Sequence, residues 1–353
     1  MILFNDFKKE YLNLKIVIDS AIKEVLESGQ YILGEKVERF EKEFADYLGA
    51  KYCFGVGSGL EALEIALMAL GVKRGDEVIT TAHSAVATAL AIKAVGAKPV
   101  FVDIDEYYHL DSDKIEEKIT PQTKAILPVH LYGQPSAIKK IKEIAQKHHL
   151  YLVEDSAQGH GAKYDGQKVG TFGEFGCFSF YPTKNLGALG DGGAIVTNRE
   201  DLYEKCKMIR NYGFNSRLDE IQASILSSKL KYLDQFNQKR NKHAELYFKL
   251  LKNLKEIKLP KTRENVDHIY HLFVIEAEKR DELMEFLKES EIATLVHYPT
   301  PIHRQDYFPE FNNLKFPVLD SKIDNILSLP IHPFLSNEDI IYISQKIIEF
   351  YGN

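Results

Sequence analysis

Between residues 50 and 200 the chain alternates short β-rich apolar runs with helix-patterned stretches, and no other feature restricts the fold as much. Seven runs read as strands: Tyr52–Val56, Glu77–Thr80, Lys98–Ile104, Thr123–His130, Tyr151–Val153, Gly176–Phe180 and Gly193–Val196. Each is bounded by Gly, Pro or polar turn residues. Helical spacing marks Asn13–Ser28, Glu35–Leu48, Leu60–Leu70, Asp111–Ile119, Ser136–His149 and Glu200–Arg210. Strands alternating with helices build an α/β fold with a mostly parallel sheet, because a parallel crossover needs a returning segment and usually uses a helix. Farther on, Leu218, Ile221, Ile225, Leu226, Leu230 and Leu233 form one stripe, and Asp234–Leu254 reads as a long helix of mixed charge. It bridges into a C-terminal α+β pattern: strand His268–Ile275, helix Asp281–Glu289, strand Ala293–Tyr298. The expected division is a large α/β unit over residues 1–235 and a smaller unit over residues 236–353.

Composition narrows the function classes. A net charge of −6 and the lack of a long basic stripe argue against nucleic acid. No apolar run reaches membrane-spanning length, and MILFNDFKKEYLNLK has an early acid and no long apolar region, so the expectation is a soluble cytoplasmic protein. Cys53, Cys177 and Cys206 lie far apart, which suggests neither a disulfide framework nor a metal centre.

The chemistry concentrates in Tyr151–Asn198. Ligands of an open α/β sheet sit beyond the carboxyl ends of its strands. Asp155 follows one such end; Ser179, Thr183 and Lys184 end or follow another. Lys184 is the only basic residue between Lys168 and Arg199 and precedes a loop containing Gly187, Gly190, Gly192 and Gly193. Taken alone it reads as a solvated loop lysine. Its hydroxyl-bearing neighbours favour a desolvated amine of the kind a Schiff base with an aldehyde cofactor requires. Asp155 is then either a helix cap or the carboxylate that keeps a pyridine ring nitrogen protonated. Strand Tyr52–Val56, the turn Gly57-Ser58-Gly59 and the following helix form an anion-binding geometry. GVGSGL has Leu60 where the third glycine of a dinucleotide fingerprint belongs, so a cofactor phosphate fits better, with Ser58 and Gly59 as donors.

The words EDSAQGHGA, FSFYPTKNLGALGDGGAIVTN and NSRLDEIQAS resemble the DegT/DnrJ/EryC1/StrS aminotransferases that use pyridoxal 5′-phosphate on nucleotide-linked keto-sugars. The resemblance runs from about Gln30 to the C-terminus. It implies a type I aminotransferase fold with a mixed seven-stranded sheet, and a homodimer with shared active sites. By the same resemblance, Lys184 and Asp155 are catalytic. Ser179 binds the cofactor phosphate, and Gln158 bonds the phenolic oxygen. Asn215 or Arg217 reaches the partner subunit's cofactor phosphate. Many members of the family stack an aromatic on the ring where this chain has Ala85; His83 is the candidate substitute, with a loop histidine as the plain alternative. HYPTPIH is similar to the branch that aminates a 3-keto sugar, where Tyr181, His297 and His303 would line the hexose pocket; the two histidines are poor zinc ligands without a third. The implied reaction takes an amino group from L-glutamate to a dTDP-linked 3-keto-6-deoxyhexose. Amination at C4 and a non-catalytic cofactor-binding regulator are the rivals.

Overall fold

The computed structural model of the chain describes residues 1–352. Its centre is a seven-stranded sheet. In spatial order the strands are Tyr52–Val56, Gly193–Thr197, Phe175–Ser179, Tyr151–Asp155, Thr123–Leu127, Glu77–Thr81 and Lys98–Val102. Gly193–Thr197 runs antiparallel to both neighbours; the other pairings are parallel. The sheet is therefore mixed, and the carboxyl ends of six strands share one edge with Gly193, the start of the reversed strand.

Both faces are covered, which explains the near-continuous apolar character of the strands. On one side, Leu63, Ile65 and Leu67 of helix Gly59–Ala69 pack with Phe54, Phe175 and Cys177. On another, Phe40 and Phe44 of helix Glu35–Leu48 meet Phe178 and Phe180 edge to face. All four rings are fully buried, and each contributes roughly 1.5–3 kcal/mol by leaving water. Side-chain caps set several helix starts: Ser58 accepts from the Glu61 N–H and Asp219 from the Gln222 N–H.

Helix Leu233–Leu251 leads into a second layer. There a three-stranded antiparallel sheet, Ile257–Lys258, Phe273–Ala277 and Ile326–Leu329, packs with helices Arg280–Glu289 and Asn337–Gly352 around Tyr247, Phe273 and Leu283.

Several expected elements differ. Asp111–Ile119 is two 3₁₀ turns, Ser112–Lys114 and Glu116–Lys118, instead of one helix. Ile115 is its only fully buried apolar anchor, and Pro121 disfavours helical backbone at Thr120. The strand expected at His268–Ile275 begins only at Phe273, because the preceding backbone bonds to the Tyr132–Gly133 turn and Tyr270 adopts φ 43°. Ala293–Tyr298 makes one isolated bridge, Leu295 to Ser328, and no strand. Helices Ala87–Ala94 and Asn337–Gly352 were not among the expected elements; the first, ATALAIKA, is apolar nearly all round and carries little periodic signal.

Candidate active site

Six strand ends place their loops along one edge. Gly193 is part of the reason they close up: a Cβ there would stand 2.4 Å from the Ser58 carbonyl oxygen. Gly59 does the same beside Ser179, where a Cβ would lie 2.7 Å from the serine Cβ. Ser58, Gly59 and Ser179 thus surround the open N-terminus of helix Gly59–Ala69, whose free N–H groups and dipole favour an anion.

Lys184 sits in a tight turn closed by its N–H on the Tyr181 carbonyl at 2.9 Å. The loop beyond is pinned from several directions. Asn185 donates to Asn237 at 2.8 Å, and Ala188 N–H donates to the Phe180 carbonyl at 2.7 Å. Lys229, buried and ion-paired with Glu10, donates to the Gly187 carbonyl at 2.5 Å. Gly187 has to be glycine, since a Cβ would meet the Pro182 carbonyl oxygen at 2.4 Å. The Lys184 amine itself is partly buried and, among the described residues, makes no hydrogen bond or ion pair. Desolvation lowers its pKa to about 8, against the upward pull of the Asp155 carboxylate. An ordinary lysine is protonated far above that.

Asp155 ends its strand with only 5% of its surface exposed. One carboxylate oxygen accepts from the Thr88 hydroxyl at 2.8 Å, the other from the Ala157 N–H at 3.1 Å. Burial raises its pKa; these two donors and Lys184 oppose that. Glu154, one residue earlier, faces the other way and accepts from Gly170, Phe172 and Gly173 N–H and from the His130 ring.

Gln158 is buried nearby. Its carbonyl accepts from Tyr132 N–H at 2.6 Å, and its amide donates to the Tyr298 hydroxyl at 3.0 Å. Tyr298 lies inside HYPTPIH and is not among the site residues expected from the sequence; an aromatic between a histidine and a proline carries no signal of its own. Its hydroxyl, pushed up to about 12 by burial and Asp155, keeps its proton at neutral pH. Tyr298 also lines a cavity of about 630 Å³ together with Ala85, Arg304, Gln305 and Tyr307. Ala85 therefore borders open space.

His83 is 1% exposed, with Nε2 held 2.7 Å from the Tyr132 hydroxyl and its pKa lowered to about 3 by burial. It is a neutral imidazole within an aromatic cluster of Tyr108, Tyr132 and Tyr298. Tyr181 is 53% exposed, three residues before Lys184. His297 stacks on Phe4 and pairs with the Ser328 hydroxyl at 2.9 Å, close enough for Lys184 to depress its pKa, after burial, to about 4. His303 is a correction to its expected contact with a sugar: it is fully buried, set edge-on to Phe316 at 4.7 Å, with both ring nitrogens unpartnered among the described residues. The Pro301 turn directs it into the protein because an apolar cluster of Phe308, Phe311 and Phe316 lies beneath.

Asn215, exposed and left-handed at φ 53°, accepts from Arg217 at 3.0 Å. Between them Ser216 bonds the Gly57 N–H at 2.9 Å and Glu61 at 2.8 Å. The loop is thus tied to its own chain's phosphate-type cradle.

An unpartnered amine of lowered pKa, a buried carboxylate held as an acceptor, and an open helix N-terminus cleared by Gly59 together fit pyridoxal phosphate. Lys184 would hold its aldehyde, Asp155 its ring nitrogen, and Ser58, Gly59 and Ser179 its phosphate. No group of three or more His, Cys, Asp or Glu side chains among the described residues could hold a metal, and no described helix is long and apolar enough to cross a membrane.

Residues 14–348 match the DegT/DnrJ/EryC1/StrS aminotransferase family. The chain is 46% identical to the dTDP-3-amino-3,6-dideoxy-α-D-galactopyranose transaminase of Aneurinibacillus thermoaerophilus, over 99% of this chain and 98% of that protein. It is 45% identical to a Geobacillus stearothermophilus protein named pleiotropic regulatory protein, over 98% and 97%. The crystal structure of S. venezuelae DesV in complex with a ketimine intermediate superposes with a TM-score of 0.97 at 41% identity, covering 100% of this chain and 99% of DesV.

Proposed function

This chain belongs to the DegT/DnrJ/EryC1/StrS aminotransferase family, and on that premise we propose that it moves an amino group from L-glutamate to a dTDP-linked 3-keto-6-deoxyhexose, giving a 3-amino-3,6-dideoxyhexose. The observation that carries this reading is the Lys184 amine, without a partner and lowered to about 8, set in the field of a buried Asp155. The transaminase from A. thermoaerophilus supports the choice of C3 and of the nucleotide.

When bound, pyridoxal phosphate supplies the electron sink that allows the Cα–H bond of the amino donor to ionise. Lys184 provides the amine that anchors the aldehyde. With the cofactor bound, the Lys184 amine would take the proton from the donor's Cα and deliver it to the cofactor's C4′ carbon, two bonds away, acting as base and then acid; a pKa near the working pH suits both roles. Asp155 holds the ring-nitrogen proton, which keeps the sink electron-poor. Gln158, fixed by Tyr132 and Tyr298, would have a remaining amide N–H to donate to the cofactor's phenolic oxygen. Ser58, Gly59 and Ser179 bind the phosphate, so the ring cannot slide along the strand ends. For the sugar, Tyr181 and His297 remain candidates and Tyr298 joins them.

The active unit is a homodimer in the cytoplasm, in which Asn215 or Arg217 of each chain reaches the partner subunit's phosphate site. Its product belongs to deoxysugar biosynthesis. The name of the G. stearothermophilus relative favours a regulator as second reading; Lys184 in the field of Asp155, with Gln158 bonded to Tyr298 beside the same carboxylate, weighs against it. The test is incubation of purified, cofactor-loaded protein with glutamate and a panel of keto-sugar nucleotides, with NMR of the product. An amine-bearing carbon at C3 is expected. An amine at C4 from dTDP-4-keto-6-deoxyglucose with no isomerase present overturns the C3 assignment, and no 2-oxoglutarate with any acceptor favours the regulator.

A further inference from the structure

The Asp155 carboxylate is oriented by a helix that shares none of the sequence words discussed above. Thr88, in the first turn of Ala87–Ala94, is fully buried, and its hydroxyl donates to Asp155 Oδ2 at 2.8 Å. A hydroxyl has one proton to give. The 2.9 Å contact between Thr88 and Ser84 therefore has Ser84 as donor, and the chain runs Ser84 to Thr88 to Asp155. Ser84 is itself 3% exposed, so water does not compete for either bond. We propose that Thr88, backed by Ser84, is a positioning residue that keeps the Asp155 carboxylate ionised and aimed at the ring nitrogen of pyridoxal phosphate. The proposal rests on the reading of Asp155 given above.

The electrostatic setting supports it. Burial raises the Asp155 pKa, and Thr88 is the foremost group opposing that rise, ahead of the Ala157 N–H, Lys184 and His130. The other titratable groups in range, Tyr298 and Cys177, are held neutral by their own burial. A proton shared between a carboxylate and a pyridine nitrogen goes to the stronger base. Without the Thr88 donor the carboxylate becomes a stronger base than before, and proton density shifts toward it from the ring nitrogen.

The test uses holoenzyme loaded with pyridoxal phosphate labelled with ¹⁵N in the ring. Thr88→Val keeps the side-chain shape and removes the donor. Its ¹⁵N resonance is expected to move toward that of a neutral pyridine, and cofactor retention by dialysis to weaken about tenfold or more, the scale of one hydrogen bond to a charged group. Thr88→Ser should restore both, which a purely packing role for the methyl would not do. An unmoved resonance in Thr88→Val overturns the proposal. Should Thr88→Val not fold, Ser84→Ala removes the bond behind Thr88 and is expected to move the resonance the same way by less; no movement there overturns the proposal equally. Asp155→Asn, run alongside, separates the two levels of the argument. If it too leaves the resonance in place, the ring nitrogen has another partner and the Asp155 assignment itself falls.

Discussion

Glu154 offers a severe test of how this site is built. Its side chain is fully buried and accepts four hydrogen bonds: Gly170 N–H at 2.7 Å, Phe172 N–H at 2.7 Å, Gly173 N–H at 2.9 Å and His130 Nε2 at 3.0 Å. His130 donates through Nε2, because its Nδ1 accepts the Ser136 N–H at 3.1 Å. In Glu154→Gln one end of the side chain stays an acceptor for two of these donors. The other end becomes NH₂ and meets two N–H groups head on. Two charge-assisted bonds at about 1.5–3 kcal/mol each are lost, or about 3–6 kcal/mol. The lower cost of burying a neutral amide trims this to a net of about 2–4 kcal/mol. The assay is equilibrium urea unfolding of cofactor-free protein at one fixed concentration, since assembly makes apparent stability concentration-dependent. With an m-value of about 3 kcal/mol/M, the midpoint should fall by about 1 M. Retention of the wild-type midpoint to within about 0.3 M would refute the claim that Glu154 fastens residues 170–173 and the His130 turn to the strand that carries Asp155.

Three further outcomes follow from the geometry. Cofactor-free protein should take up pyridoxal phosphate faster as pH rises, with a midpoint near 8, because below it the Lys184 amine carries a proton and its lone pair is engaged; stopped-flow absorbance measures this, and a rate still climbing at pH 10 contradicts the lowered pKa. Gly59→Ala puts a Cβ 2.7 Å from Ser179 Cβ and 3.2 Å from its Cα; overpacking of this kind costs about 1–3 kcal/mol, and equilibrium dialysis should show cofactor affinity down about tenfold or more, unchanged affinity removing Gly59 from the phosphate cradle. Mixing inactive Lys184→Ala with inactive Arg217→Ala subunits should restore part of the activity in heterodimers; no recovery after verified subunit exchange counts against the shared site.

Much of the seven-stranded sheet and the helices that cover it is legible in the sequence. Strand positions followed from apolar runs bounded by turn residues, and Glu35–Leu48 follows its periodic pattern to the residue. The elements that went wrong share a cause. Asp111–Ile119 has helical spacing but one buried anchor, so nothing rewards a full helix over 3₁₀ turns. His268–Leu272 has strand propensity, yet Gly133 and Tyr132 capture its N–H groups first. The resemblance of HYPTPIH to a sugar-pocket loop implies that His303 meets the sugar, and its prolines by themselves suggest a rigid surface loop. Phe308, Phe311 and Phe316, a few residues along, instead bury it.

The order of short apolar runs and Gly-rich turns determines, without reference to anything distant, that the strands form a parallel-type sheet and that Lys184, Asp155 and the Ser58–Gly59 turn stand at the ends of three of them. That is local chemistry: period, turn residues and spacing are properties of adjacent positions. Which groups those side chains face is decided only when remote segments meet. Thr88 stands 67 residues from Asp155, Tyr298 stands 140 from Gln158, and Lys229 stands 42 from Gly187. The amine of Lys184 becomes a weak enough base to react near neutral pH through the burial that these segments create together, since desolvation depends on everything packed around a charge and on no single neighbour in the chain.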